Sequence, residues 1–352
     1  MKAYLSRNSA AAQLGENLFP LACAVAQRHF SPSAAILASL LLLAGFNSLA
    51  QVLADQSTGF IATAHGHSGY KFRAVTGPGN CFVYPLALND SRHMLLETVD
   101  FTPYIYSGAG YLPVSPAGVD SLYAWGMNNA EQVVGYGDGG AFAFVYAGGM
   151  LSKFAVPGAT YTAGYGISSS GAIVGCFGDG NGGHGFILSA GGFTPYDVPG
   201  ESMTVFRGLN VSGLVIGSIY PDGNEQGFVY DSNSGAQRPL RVPGSVSCCP
   251  LAINDYGQIV GQYYGTDGRT HGFVEESGRF LAIDYPSGVK STNVNTIVTG
   301  INNQGDIVGW AWYSATARPV SRNYPKFHQK WQLTSIPKHG RLQEEGARSF
   351  SR

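Results

Sequence analysis

One motif recurs six times along the chain, and this constrains the fold more than any other feature. Its clearest copies are GINNQGDIVG from Gly300 and LAINDYGQIVG from Leu251, with GMNNAEQVVG at Gly126, GISSSGAIVG at Gly166, GLNVSGLVIG at Gly208 and a worn ALNDSRHMLL at Ala87. The marker position is Asn89, Asn128, Ser168, Asn210, Asn254 and Asn302, at intervals of 39 to 48 residues. A second half recurs as well: AFVY at Ala143, GFIL at Gly185, GFVY at Gly227 and GFVE at Gly272, followed by FAVPG, YDVPG, LRVPG and IDYPSG. A unit of about 42 residues cannot bury an apolar face alone, so the copies must stack or close on one another.

Each unit holds four short apolar runs. In the copy at Leu251 they cover 251–253, 258–263, 271–275 and 280–283, separated by Asn-Asp-Tyr-Gly, Gly-Thr-Asp-Gly and Ser-Gly. Runs rich in Val, Ile, Phe and Tyr between Gly, Asn, Asp and Pro predict strands joined by turns, and no segment of the body keeps a helical period. Four strands in this length make one β-propeller blade. Five full repeats (81–118, 120–158, 159–200, 201–244 and 245–288) are flanked by two further half-repeats. Residues 59–79 align with the last two strands and 297–313 with the first two. The expectation is an all-β propeller of about six four-stranded blades, closed by strands from both termini, which removes exposed sheet edges. An open β-solenoid is the alternative.

The recurring small residues have structural reasons. Asn-x-x-Gly suits a tight turn in which Asn caps its own backbone. The Gly of Ile-Val-Gly permits close strand approach. Pro of Val-Pro-Gly ends a strand for want of an amide hydrogen.

On these residues, the combined Asn-x-x-Gly-x-Ile-Val-Gly and His-Gly-Phe pattern over residues 59–313 resembles the repeat of bacterial extracellular proteins called the HAF-repeat family. The resemblance implies an exported bacterial protein with a propeller-like fold and no established molecular activity. The chain departs from the pattern at Arg92 and Leu96, which replace two glycines. It departs again after Tyr313, where a basic, nearly Gly-free tail over 314–352 takes the place of the His-Gly-Phe half and is expected to be disordered.

Charge and hydropathy suggest an address. Residues 34–46 read AAILASLLLLAGF without a charge, after Arg28 and before Ser48-Leu49-Ala50, which has the form of a secretory leader over 1–50 with an over-long start. Val52-Leu53-Ala54 offers a second cleavage site, and 51–58 reads as a linker. Thirteen helical residues span about 20 Å, short of a bilayer core, so no membrane span is expected after cleavage. Residues 51–317 carry 10 basic and 19 acidic side chains, a balance that repels phosphate backbones and argues against a nucleic-acid partner. Secretion, or a periplasmic or cell-surface location, follows as the expectation.

Candidate chemistry is sparse. Asp-Gly recurs between the second and third strands as Asp138-Gly139, Asp179-Gly180, Asp222-Gly223 and Asp267-Gly268. Calcium wants six to eight oxygens, and one Asp per loop serves a hairpin turn better, so no cofactor is expected and calcium is the sharper alternative. His184 and His271 precede Gly-Phe at equivalent places and read as structural, since zinc needs converging ligands. His65 and His67 sit in a loop. Four cysteines remain after export, Cys81, Cys176, Cys248 and Cys249, and they leave three pairings open. Glu275 and Glu276 read as a solvated pair beside a turn. No Gly-x-Ser-x-Gly elbow or phosphate loop occurs.

If the first strand of each repeat is innermost, the loops after the second and fourth strands share one face. Asp138, Asp179, His184, Asp222, Glu225, Tyr264, Asp267 and Arg269 would then surround a common rim suited to a ligand. The expectation is a non-enzymatic binding module for an extracellular polysaccharide or protein. The alternatives are a carbohydrate-active hydrolase or lyase and a purely structural surface protein.

Overall fold

Among the described residues of the computed structural model, twenty-four strands form six four-stranded antiparallel sheets, arranged as the blades of a β-propeller. The structure describes residues 57–64, 69–116, 119, 121–190, 192–286 and 294–313. The expected leader, the basic tail, His65 and His67 lie outside the described residues. Blade 1 holds β3 (Val83–Leu88), β4 (Met94–Thr98), β5 (Pro103–Tyr106) and β6 (Tyr111–Pro113), and blade 2 holds β7 (Leu122–Met127), β8 (Val133–Gly137), β9 (Phe142–Ala147) and β10 (Met150–Phe154). Blade 3 holds β11 (Tyr161–Ile167), β12 (Ile173–Gly178), β13 (Gly183–Ser189) and β14 (Gly192–Tyr196). Blade 4 holds β15 (Thr204–Leu209), β16 (Leu214–Ile219), β17 (Gln226–Asp231) and β18 (Gln237–Leu240). Blade 5 holds β19 (Ser245–Ile253), β20 (Ile259–Gly265), β21 (Thr270–Glu276) and β22 (Arg279–Ile283).

Blade 6 joins distant parts of the chain. Its order is β2 (Tyr70–Val75), β1 (Ser57–Ala64), β24 (Ile307–Tyr313) and β23 (Val294–Ile301). Ser57 and Thr58 pair with Trp312 and Ala311, so two residues that sequence assigned to a linker belong to β1. A second boundary moves in blade 5, where β19 starts at Ser245 rather than Leu251, because a register shift at Val246 lets the strand continue through the two cysteines.

The first strand of every blade is the innermost. Each carries a β-bulge at the same repeat position, and the extra residues are Leu86, Trp125, Tyr165, Arg207, Leu251 and Thr299. A bulge leaves one residue outside the ladder and re-aims its side chain. All six line a central cavity of about 80 Å³. Beneath it, Leu88, Met127, Ile167, Leu209, Ile253 and Ile301 form an apolar ring, shared with a second cavity of about 60 Å³ on the side of the Asn-x-x-Gly turns.

The core lies between sheets, with a separate apolar cluster at each of the six junctions of adjacent blades. Phe60, Phe144, Phe186, Phe228 and Phe273, from the third-strand motif, are at most 1% exposed. Each such burial is worth roughly 1.5–3 kcal/mol. The strand glycine is a steric requirement: a Cβ at Gly175 would lie 1.9 Å from the Ala163 carbonyl, and one at Gly309 2.0 Å from that of Ile297.

Val-Pro-Gly does more than end a strand. Ala159, Glu201 and Ser245 donate their N–H groups to Val156, Val198 and Val242, closing turns with Gly158, Gly200 and Gly244 at φ of 80, 86 and 76°. Pro at the second position and a positive-φ Gly at the third define a type II turn. This turn carries the chain from one blade into the next.

The marker Asn has a second role that sequence reading missed. Besides accepting backbone N–H groups within its own turn, Asn254 donates from Nδ2 to the Asn302 carbonyl at 2.9 Å, and Asn128 does so to Ser168 at 3.1 Å. Asn210 likewise donates to Asn254 at 3.2 Å. The next residues add a second tier: Asn303 donates from Nδ2 to Asp90 and to Asp255, each at 2.9 Å. Where the turn glycine is missing, Arg92 and Glu131 occupy left-handed backbone at φ of 61 and 58°. Both reach a neighbouring blade, Arg92 donating to Asp306 at 2.7 Å and Glu131 bonding His93 at 2.5 Å.

Candidate functional site at the loop end of the blades

The two ends of the ring differ in kind. Near-identical Asn turns, tied blade to blade, cover one end. Loops after the second and fourth strands cover the other; they share Asp-Gly in four blades and Val-Pro-Gly in three, while the residues around those turns differ from blade to blade. All eight residues expected at the rim lie at this loop end, but they do not form one constellation.

Asp138 starts a short 3-10 turn with φ of 49°, exposed and held by its N–H to the Ser121 carbonyl. Asp222 occupies the equivalent turn Pro221–Gly223. Asp179 accepts from the N–H groups of Asn181 and Gly182, the self-capping turn that Asp favours. Asp267 does the same with Arg269 N–H and also takes its Nε at 2.7 Å. Tyr264 and Glu225 turn inward instead of facing the rim. The Tyr264 hydroxyl is buried without a hydrogen-bond partner. Glu225 accepts from the Tyr220 hydroxyl at 3.0 Å and from Arg207 at 3.4 Å, drawn in by a guanidinium that needs a counter-charge once buried.

The contacts that bring expected residues together are two copies of one clamp. His184 sits between Asp197 on Nδ1 at 2.8 Å and Asp179 on Nε2 at 3.2 Å. His271 sits between Asp284 at 2.8 Å and Asp267 at 3.1 Å, stacked 5.0 Å from Tyr263. For His271 the Asp284 hydrogen bond lifts the imidazole above its ordinary value, against burial and with help from Asp267. For His184 burial pulls down, yet the two carboxylates prevail and the value is raised. Burial would raise Asp267, but His271 and Arg269 hold it at about 2.

Asp197 and Asp284 were missed as partners, although a signal was present: each follows its His by 13 residues. In blade 2 Phe142 takes the His place, beneath the Lys153 ammonium, and Ala155 takes the Asp place. Loss of the His and loss of its carboxylate go together.

Glu275 is a correction. Expected as solvated, it is fully buried, paired with Arg238 of the neighbouring blade at 3.4 Å and accepting from Gly278 N–H at 2.7 Å. The Ser277–Gly278 turn folds its amide back over the carboxylate, which sequence spacing does not reveal. Cys81, Cys176, Cys248 and Cys249 are all free thiols, so none of the three open pairings forms. Among the described residues no group of three or more His, Cys, Asp or Glu side chains is disposed to hold a metal ion. No helix among them is long and apolar enough to cross a membrane.

The arrangement is that of a six-bladed β-propeller, and a solved structure agrees on the fold. A putative TolB from Agrobacterium tumefaciens superposes with a TM-score of 0.56 at 11% identity, covering 74% of this chain and 99% of that one. TolB from Acinetobacter baumannii gives 0.44 at 10% identity over 75% of this chain and 65% of that one. Virginiamycin B lyase from Staphylococcus aureus gives 0.39 at 14% identity over 72% and 94%. At 11% identity the likeness to the first of these concerns the fold alone. No family model matches the sequence, and no curated protein does.

Proposed function

We propose that this chain is a non-enzymatic binding module of the HAF-repeat kind, working at the cell envelope or outside the cell and taking a polysaccharide or protein on the loop end of its ring. The observation that carries this reading is the asymmetry of the two ends. Repeated side chains lock the Asn-turn end, while around the shared Asp-Gly and Val-Pro-Gly turns the loop end carries residues that differ from blade to blade. Variable loops on a rigid scaffold are the usual setting of recognition. The uncharged run over 34–46 supports export.

The test uses the full chain, tagged at its C-terminus and expressed in a bacterial host. Fractionation should find it outside the cytoplasm, and titration of envelope polysaccharide and protein extracts should give saturable, product-free binding. Release of cleaved product would overturn the non-enzymatic reading in favour of a hydrolase or lyase. Neither binding nor turnover would favour a structural role.

A further inference from the structure

Blade 1 departs from its neighbours at the turn between β4 and β5, on the loop end. In the corresponding loops of blades 2, 4 and 5, left-handed backbone falls to Gly139, Gly223 and Gly268, at φ of 70, 77 and 80°. In blade 1 it falls to Phe101, at 63°, and this residue is 38% exposed. A bulky side chain is strained in that region. Two bonds close the turn: Phe101 N–H donates to the Thr98 carbonyl at 2.9 Å, and Thr98 N–H to the Thr102 carbonyl at 3.1 Å. The residue paired with Glu97 on β5 is Pro103, which has no amide hydrogen to give the ladder. From outside, the turn is seated on blade 2. The Phe101 ring lies 6.3 Å from that of Tyr123, itself stacked 5.1 Å from Tyr136.

Glu97 stands at the foot of this turn, 5% exposed, and its Oε1 has no hydrogen-bond partner. The titratable groups that face it are Tyr84 from β3, Tyr136 from β8 and Asp100 from the turn. Strand β5 offers it Pro103, and β7 contributes the Tyr123 ring stacked on Tyr136. None of these is basic. A buried carboxyl with no cation beside it and a second carboxylate nearby keeps its proton at neutral pH, because nothing there solvates the charge. Burial first, and then Asp100, push Glu97 up to about 8.

We propose that the turn over residues 98–102 is a pH-sensitive latch on the loop end, closed while Glu97 holds its proton and released from its seat on Tyr123 when Glu97 ionises beside Asp100. The strained Phe101 and the missing amide of Pro103 keep the closed form easy to leave, and release uncovers the Tyr123 ring. The latch belongs to the fold and holds whatever the loop end binds. An open turn returns Glu97 to the ordinary value near 4.3, against about 8 when closed, so opening releases a proton. The open fraction therefore climbs about tenfold per pH unit between those two values and levels off above the upper one.

Native-state hydrogen exchange of the full chain tests it, read at the Thr98 and Phe101 amides from about pH 5 to about pH 9. Their protection, corrected for the intrinsic pH dependence of exchange, should fall about tenfold per pH unit up to about pH 8 and then hold steady. Glu97→Gln, which imitates the protonated acid, should keep both amides protected across the whole range. Asp100→Asn alters an exposed turn residue and keeps an acceptor for the Thr98 hydroxyl. It should bring the plateau to a lower pH, and it serves as the test should Glu97→Gln fail to fold. Protection independent of pH in the unaltered chain overturns the latch, as does a slope that survives Glu97→Gln or a plateau that Asp100→Asn leaves in place. Protection at these two amides as high as on β16 overturns it too, since the turn would then open only with the whole molecule.

Discussion

Asn302 donates its side-chain N–H to the backbone carbonyl of Asn89, at 3.3 Å and across 213 residues of sequence. The bond joins blade 6 to blade 1, as the Asn254–Asn302 bond joins blade 5 to blade 6. A residue that looks like a local turn former is thus also a link between blades.

Replacing Asn254 or Asn302 by Ala should therefore cost more than a turn residue would. Each change strands buried N–H groups and one neighbouring carbonyl, and the expected loss is about 2–4 kcal/mol in urea unfolding. Replacement of Ser168, the copy without an amide, should cost less. Equal losses at all three positions would show that only the local cap matters.

Gly309→Ala should destabilise by about 2 kcal/mol or more, since the added methyl meets backbone rather than a movable side chain. Gly180→Ala, with open space around it, should be nearly neutral. Thermal midpoints of the two variants check the contrast, and similar midpoints would discredit the close-approach account of the strand glycine.

The two clamps predict a pH dependence. Both imidazoles are raised in the folded state, so their stabilisation is complete below the ordinary value near 6.5 and is lost as pH rises through the folded value. Asp267, held at about 2, contributes above the ordinary carboxylate value and loses that contribution as pH falls toward about 2. The unfolding free energy from urea titration should fall between pH 6 and pH 8, by about 1 kcal/mol or less per clamp given solvent screening. The double change His184→Phe with His271→Phe, imitating Phe142, should flatten that slope. An unchanged slope would mean that other groups govern it.

Thiol reactivity should separate Cys81 from the rest. Cys176, Cys248 and Cys249 are buried, and burial pushes the Cys176 and Cys248 thiols up to about 11 and about 12. Cys81 is partly exposed. A disulfide-exchange reagent should modify Cys81 in the native state and the other three only on unfolding. Rapid native modification of Cys81→Ser protein at Cys248 would contradict the burial.

Much of this fold was legible because repetition multiplies weak signals. One Ile-Val-Gly is uninformative, yet six aligned copies gave strands, turns and blade number together. The functional end was harder to read for the opposite reason. Its residues differ between blades, so no copy vouches for another. Glu225 and Glu275 looked like surface charges because their partners, Arg207 and Arg238, come from elsewhere in the chain. Asp222 and Asp138, by contrast, fall in the short turns their Gly neighbours announce.

The pairing of β1 with β24 sets an order on folding. Each of blades 1 to 5 draws its four strands from one contiguous stretch and can pack on its neighbour as soon as both have left the ribosome. Blade 6 must wait, because β1 emerges first and its partner strand last. For most of synthesis β1 offers an open edge, and two nascent chains held close together can exchange it, each completing the other's ring. Slow dilution during refolding should therefore favour monomers, and crowding should favour swapped dimers held together by the same hydrogen bonds that close a single ring.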